Sequence, residues 1–115
     1  MSKLSDLCDL YEKEFISKEI VKKVDRPLLD AVAKACGPAI YKADATKVAC
    51  SNKEEMARVR TNFLLKKLEL KDTPKLDEAL AEVCAAMGSR NRNKYRAMFY
   101  YLLVKKFRKS KMFVA

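Results

Sequence analysis

Residues 73–88, with the sequence TPKLDEALAEVCAAMG, carry the clearest structural signal in the chain. Thr73 can cap a helix, and Pro74 suits its first turn, where a missing N–H costs no intrahelical hydrogen bond. Gly88 is placed to end the helix. Six apolar side chains between them recur at the spacing of one helix face: Leu76, Ala79, Leu80, Val83, Cys84 and Met87. The stretch therefore predicts an amphipathic helix.

The segments upstream show the same helical spacing. Apolar side chains in residues 4–24 predict one or two helices, with Ser17 as a candidate cap for the second. Pro27 suits the first turn of the next helix, and the pair Gly37-Pro38 should end or kink it. The first third of the chain is therefore expected to be helical.

Two further helices flank residues 73–88. Ser51 and Glu54 have the spacing of a capping box, so one helix should begin at Ser51. Its apolar side chains point in two directions, which is typical of a central helix. The last helix should begin near Asn91 or Asn93 and turn one apolar face to the core: Tyr95, Met98, Phe99 and Leu102.

These segments together define the expected fold class. None of them alternates with the period of two that marks a strand, so no sheet is expected. The chain has 115 residues, with only two Gly and three Pro, and this length matches one hydrophobic core. The sequence predicts an all-α fold, a compact bundle of five to six helices in which residues 1–115 form a single domain.

The sequence also indicates the cellular compartment in which the protein is expected. Acidic residues interrupt the N-terminal segment before an apolar run develops, and no stretch approaches the ~20 apolar residues of a membrane span. We therefore expect a cytoplasmic protein that does not insert into a membrane. The four cysteines form no Cys-x-x-Cys pair, and we expect them to be reduced thiols, most of them in the core.

The sequence does not favour an enzyme. Histidine is absent, so no imidazole can serve in acid–base catalysis or activate a thiol. Capping explains first-turn acids such as Glu54 and Glu55, and Glu78 and Glu82 lack a third ligand type for a metal. Cys50, near a helix N-terminus, is the one thiol whose pKa the local structure could lower. We expect no catalytic residue, cofactor, metal or small-molecule substrate.

Charge is distributed unevenly along the chain. The sequence contains 25 basic and 15 acidic residues, a formal net charge of +10. Residues 83–115 contain nine basic residues and no acidic one, whereas the charge of residues 1–82 is nearly balanced. Cations along a helix can neutralise phosphates, and an exposed tyrosine among them can stack on an unpaired base. On a continuous helix, four residues share a sector of about 60°: Lys94, Tyr101, Lys105 and Arg108.

The basic end therefore predicts a surface that contacts RNA, DNA or an acidic protein. The predicted contacts are Arg90, Arg92, Lys94, Tyr101, Lys105, Arg108 and Lys109. Three other interpretations stay open. The cations can simply solvate a face and offset the helix dipole. A helix-turn-helix around Gly88 would need a longer turn, and a helix lying on a membrane would lack the apolar residues that the core requires.

Four short segments carry a resemblance to a known family. They are ACS at 49–51, EEMARVR at 54–60, FLLKKLEL at 63–70 and YYLL at 100–103. In residue types, order and spacing the chain resembles a small bacterial family of uncharacterised helical proteins, a domain of unknown function. The resemblance covers about residues 28–107 and implies a compact helical fold with no assigned activity. The chain departs from the pattern in Gly37-Pro38, in its longer N-terminal helix and in its basic end.

These observations favour a non-catalytic binding module that contacts nucleic acid or another polyanion through a basic C-terminal helix. The alternative is a protein-interaction or self-associating structural domain whose basic face only keeps it soluble, and a homo-oligomer would fit that alternative.

Overall fold

The computed structural model of the chain describes residues 3–42, 46–88, 91 and 94–113. Within these residues, five α-helices follow one another: α1 (Lys3–Ser17), α2 (Arg26–Ala35), α3 (Lys53–Arg58), α4 (Pro74–Met87) and α5 (Arg96–Lys106). Short 3-10 helices, Gly37–Tyr41 and Ser110–Met112, follow α2 and α5, and a π-helix, Val59–Lys67, continues α3. The described residues contain no strand, which confirms the predicted all-α bundle. None of these helices combines the length and apolar character that a membrane span requires.

α5 is the central helix of the bundle. It packs against α1, α2 and α4, and six of its side chains are buried: Ala97, Met98, Phe99, Tyr101, Leu103 and Val104. The expectation that the helix near Ser51 is central is wrong, because α5 and not that helix packs against three other α-helices. The radius of gyration of 13.1 Å matches the value of about 13 Å expected for a compact chain of this length.

The two predicted helix starts in the second half differ in accuracy. α4 has its predicted bounds, since Pro74 occupies the first turn and Gly88 ends the helix with a φ of 96°. Thr73 lies at the N-cap position, but its side chain makes no capping hydrogen bond there. α3 is capped by Asn52 instead of Ser51. The Asn52 side-chain oxygen accepts hydrogen bonds from the amides of Glu54 and Glu55 at 2.9 and 3.1 Å. The capping-box prediction is therefore wrong by one residue.

Three helices end at a left-handed residue that is not glycine. φ is 56° at Glu19, 55° at Glu69 and 56° at Arg108. This conformation costs an L-residue roughly 1 kcal/mol. After α1, the Ile20 amide donates to the Phe15 carbonyl at 2.9 Å, as in a Schellman motif. A single helix therefore forms where one or two were expected.

The π-helix changes which side chains reach the core. The Leu68 amide donates to the Phe63 carbonyl at 2.8 Å, five residues back, so each turn holds more residues than in an α-helix. The buried side chains follow this wider spacing: Val59, Phe63, Leu64 and Leu68. The expectation that the apolar side chains of this segment point in two directions assumed the α-helical angle, at which Leu68 lies opposite Val59. The π-helix buries both residues, so the expectation is wrong for Leu68.

α5 begins at Arg96, later than the two asparagines at which the sequence places its start. The backbone just before it pairs with a distant segment. The Val48 amide donates to the Lys94 carbonyl at 2.8 Å, and the Arg96 amide donates to the Thr46 carbonyl at 2.7 Å. The connection between α4 and α5 is consequently longer than the turn of three to four residues typical of a helix-turn-helix.

Two of the four cysteines form a disulfide. Cys50, in the segment before α3, is bonded to Cys84 in α4, and their Cα atoms lie 6.0 Å apart. Cys8 and Cys36 are free thiols. The expectation of four reduced thiols is therefore wrong for the pair that the fold brings within bonding distance, and this pair lies 34 residues apart in the sequence.

Candidate functional site

The predicted contact residues do not form one stripe. Arg90 and Arg92 lie outside the described residues. Lys94 precedes α5, and its Nζ donates to the Asn91 carbonyl at 2.9 Å. Lys105 lies in the last turn of α5, at the opposite end of this 11-residue helix from Lys94. The helix is about 16 Å long.

Tyr101 is buried and cannot stack on a base. Its exposed fraction is 1%, and its ring centroid lies 5.1 Å from that of Phe15. The Tyr101 hydroxyl accepts a hydrogen bond from the Asp25 amide at 2.9 Å. The prediction of an exposed tyrosine is wrong because α5 is covered by other helices on the side that the sequence leaves open. Burial also raises the pKa of the Tyr101 hydroxyl.

Four cations lie in the last turn of α5 and in the chain that follows it, and we call them the C-terminal basic surface: Lys105, Arg108, Lys109 and Lys111. All are exposed except Lys109, which is half-buried. Among the residues that the structure describes, none of the four has a carboxylate within 4.0 Å, whereas Lys106 pairs with Glu82. No carboxylate among the described residues therefore neutralises these four positive charges.

The left-handed conformation of Arg108 shapes this surface. The Arg108 amide donates to the Lys105 carbonyl at 3.2 Å, and the Lys109 amide donates to the Val104 carbonyl at 3.0 Å. These two hydrogen bonds form a Schellman motif that ends α5 and turns the chain. Lys109 and Lys111 therefore do not extend the helix axis, and the chain that carries the four cations turns at the end of α5.

A second basic segment lies close to this surface. Nζ of Lys67, at the end of the π-helix, lies 5.7 Å from the ring centroid of Phe113. The contact brings the cations Lys66 and Lys67 near the end of the chain. This proximity was not predictable from the sequence, because only residues 83–115 have a marked local excess of positive charge. Lys66 and Lys67 lie far from that segment in sequence and approach it only in the folded chain.

A cleft opens between α2, the π-helix and α5. Its volume is about 410 Å³. The walls consist of Ala35, Cys36 and Ala39 on the first side, Asn62, Phe63 and Lys67 on the second, and Arg96 and Tyr100 on the third. Because these residues come from three segments that are distant in sequence, no local motif predicted the cleft.

Glu55 and Arg96 form an ion pair behind this cleft. Nη2 of Arg96 lies 2.6 Å from Oε1 of Glu55, and Nη2 of Arg58 lies 3.0 Å from Oε2. The Glu55 and Arg96 side chains are 11% and 15% exposed. The sequence led us to expect that Glu55 only caps a helix, but capping alone does not explain its position. Glu55 is the one charged residue that is buried in the described part of the chain.

The charge state of the groups around the cleft follows from burial and pairing. Burial works to raise the pKa of the Glu55 carboxyl, but hydrogen bonds from Arg96 and Arg58 outweigh it and hold the pKa below its ordinary value. Burial raises the pKa of the Cys36 thiol to about 12, although nearby Arg96 works in the opposite direction. At neutral pH the cleft therefore holds an ionised Arg96–Glu55 pair and a protonated thiol.

Neither Cys36 nor Cys50 is an activated thiol in this structure. A protonated thiol is a poor nucleophile, so Cys36 is not activated at neutral pH. Cys50, the thiol whose pKa a helix N-terminus could lower, is bonded to Cys84 and is therefore not a free thiol. Among the described residues, no group of three or more metal-ligating side chains converges.

Comparison with protein families gives one match. A family model described as a protein of unknown function (DUF2853) matches residues 11–111. The chain belongs to this family. The DUF2853 match extends beyond residues 28–107, where the resemblance was seen, and it includes the basic segment up to Lys111. No curated protein matches the chain.

Proposed function

We propose that this protein is a non-catalytic binding module that contacts the phosphate backbone of RNA or DNA through the C-terminal basic surface. The observation that carries the proposal is the group of four un-neutralised cations at the end of α5: Lys105, Arg108, Lys109 and Lys111. A cluster of this kind binds phosphates through charge and gains affinity from the release of counterions.

The burial of Tyr101 removes base stacking from the proposed contacts with nucleic acid. Among the residues that the structure describes, no exposed aromatic side chain accompanies these cations, so no base-stacking platform supports a preference for single strands. Contacts would go to phosphates, which position a protein on nucleic acid but carry no sequence information. The proposal is therefore binding with little sequence preference, to single- and double-stranded ligands alike.

A cytoplasmic location is part of the same proposal. In the cytoplasm, glutathione and thioredoxin would keep the Cys50–Cys84 pair largely reduced. The proposed binding surface does not depend on the disulfide, because the four cations lie on α5 and the chain after it. Binding should therefore be the same in oxidised and reduced protein.

Fluorescence anisotropy with labelled 20-nucleotide RNA and DNA at low salt tests the proposal. The triple variant Lys105→Glu, Arg108→Glu, Lys109→Glu should lose binding. The matched control Lys13→Glu, Lys22→Glu, Lys23→Glu changes net charge equally at exposed lysines elsewhere, and it should keep most of the affinity. Absence of binding by the wild-type protein, or equal losses in both triple variants, would contradict the proposal.

Self-association remains the second proposal. Two exposed apolar side chains on α1, Leu10 and Ile16, are 36% and 46% exposed and favour it. α5 itself offers little apolar surface to a partner because its apolar side chains face the core. Sedimentation velocity separates the two proposals: a dimer that Leu10→Asp and Ile16→Asp dissociate would support self-association, and a monomer would leave only the first.

A further inference from the structure

The cleft between α2, the π-helix and α5 has the size and lining of a small-molecule site. Its volume of about 410 Å³ falls within the range of ligand pockets, roughly 300–1,000 Å³. Phe63 of the π-helix and Tyr100 of α5 stack where their two sides of the cleft meet, with ring centroids 4.0 Å apart and an angle of 18° between the ring planes. Ala35 and Ala39 line the side that includes the end of α2. An apolar group of a ligand would lose water contact against these side chains.

The charged groups that line the cleft are both cations. Lys67 and Arg96 contribute to the walls, and no described lining residue is acidic. Lys67 has no carboxylate within 4.0 Å in the described part of the chain, and its Nζ contacts only the ring of Phe113. The Glu55 carboxylate behind the cleft is shared by two guanidinium groups, those of Arg58 and Arg96. The local balance is therefore positive.

Arg96 is held in place before any ligand arrives. Nη2 donates to Glu55 at 2.6 Å, and Nη1 donates to the Tyr100 hydroxyl at 3.2 Å. A guanidinium fixed in this way loses little conformational entropy when an anion binds beside it. The side-chain amide of Asn62 adds a neutral donor to the same cleft.

We infer that this cleft binds a small organic carboxylate. The carboxylate would lie between Lys67 and Arg96, and the apolar body of the ligand would lie against Phe63, Tyr100 and the alanines. A single negative charge fits because Arg96 already shares its charge with Glu55, which leaves Lys67 as the main uncompensated cation. The inference does not rest on nucleic-acid binding, because none of the four cations of the C-terminal basic surface lines the cleft.

Titration of ¹⁵N-labelled protein with benzoate, followed by amide chemical shifts, tests the inference. Benzoate at millimolar concentration should cause saturable shifts centred on Cys36, Phe63 and Arg96. Benzamide, which has the same shape without the charge, should bind at least about tenfold more weakly, since a hydrogen bond to a charged group is worth roughly 1.5–3 kcal/mol. Inorganic phosphate, an anion without an apolar body, should cause no saturable shifts there.

Two lysines that are neighbours in sequence provide a matched pair of variants. Lys67→Met should weaken benzoate binding about tenfold, because Lys67 lines the cleft. Lys66→Met, a change of the same charge on the same exposed turn, should leave the affinity within about twofold. Asn62→Leu is a second cleft variant at an exposed position and should also weaken binding.

Three results would overturn the inference: no saturable shifts with benzoate, shifts centred outside the cleft, or equal affinities for benzoate and benzamide. An unchanged benzoate affinity in Lys67→Met, with an amide spectrum that shows a folded protein, would also overturn it. The outcome does not depend on nucleic-acid binding, since none of these ligands is a polyanion.

Discussion

Glu55 and Arg96 join two helices across 41 positions of sequence through a contact of 2.6 Å between Oε1 and Nη2. The pair ties the start of α3 to the start of α5, and α5 is the helix around which the bundle packs. Breaking a buried ion pair leaves one charge without its partner in a region of low polarity. The pair is therefore a contact whose loss should affect the whole fold.

Glu55→Gln should lower the free energy of unfolding by about 2–3 kcal/mol, since it removes the carboxylate whose Oε1 lies 2.6 Å from the nearly buried Arg96 guanidinium. Glu54→Gln is the matched control, because Glu54 lies one residue earlier on an exposed position, and it should cost less than about 0.5 kcal/mol. Urea unfolding measures both. Equal effects in the two variants would show that the ion pair does not contribute.

The same pair makes stability depend on pH. The pKa of Glu55 is lower in the folded protein than its ordinary value of 4.5. A carboxyl with a lowered pKa stabilises the fold fully above that ordinary value, and its contribution is lost as the pH falls through the folded pKa. The stability difference between wild type and Glu55→Gln should therefore be constant near neutral pH and shrink below about pH 4. A difference that grows on acidification would contradict this account.

The disulfide gives a prediction about thiol number. Under non-reducing conditions in denaturant, two thiols per chain should react with Ellman's reagent, from Cys8 and Cys36. Four reactive thiols would show that Cys50 and Cys84 are not bonded. In oxidised protein, replacing both by serine should lower the free energy of unfolding by about 3–4 kcal/mol, given a loop of 34 residues. The same variant compared under reducing conditions is the control and should differ far less.

Glu19 provides a test of the unusual helix ends. Glu19→Gly should raise the free energy of unfolding by about 0.5–1 kcal/mol, because glycine adopts the φ of 56° without steric cost. Ser17→Gly, at the last position of α1, should instead lower it by about 0.5 kcal/mol. Thermal and urea unfolding of both variants measure the difference, and destabilisation by Glu19→Gly would contradict the structural assignment.

The accuracy of the sequence predictions follows the range of the interactions that decide each feature. α4 was predictable because its proline, its final glycine and its apolar stripe lie within one stretch. The break at Ser17 was also predictable, but not the way in which the chain turns after it, since Glu19 adopts a conformation that glycine normally signals. The π-helix also escaped prediction, because apolar spacing alone was projected at the α-helical angle.

The candidate sites were less predictable than the fold. Which face of α5 meets solvent depends on the helices that cover it, so Tyr101 could be assigned to the surface from its spacing and still be buried. The cleft, the Cys50–Cys84 bond and the Lys67–Phe113 contact each join residues more than 30 positions apart. Only the charge excess of residues 83–115 was visible locally, and it led to the C-terminal basic surface.

The salt dependence of nucleic-acid affinity tests the central proposal most directly. If the four cations contact phosphates, the logarithm of the association constant should fall with the logarithm of salt concentration with a slope of about −3.6 for double-stranded DNA. Lys109→Met should reduce the magnitude of that slope by about 0.9, whereas Lys22→Met should leave it unchanged. A slope near zero, or equal slopes for wild type and Lys109→Met, would contradict the proposal that this surface binds nucleic acid.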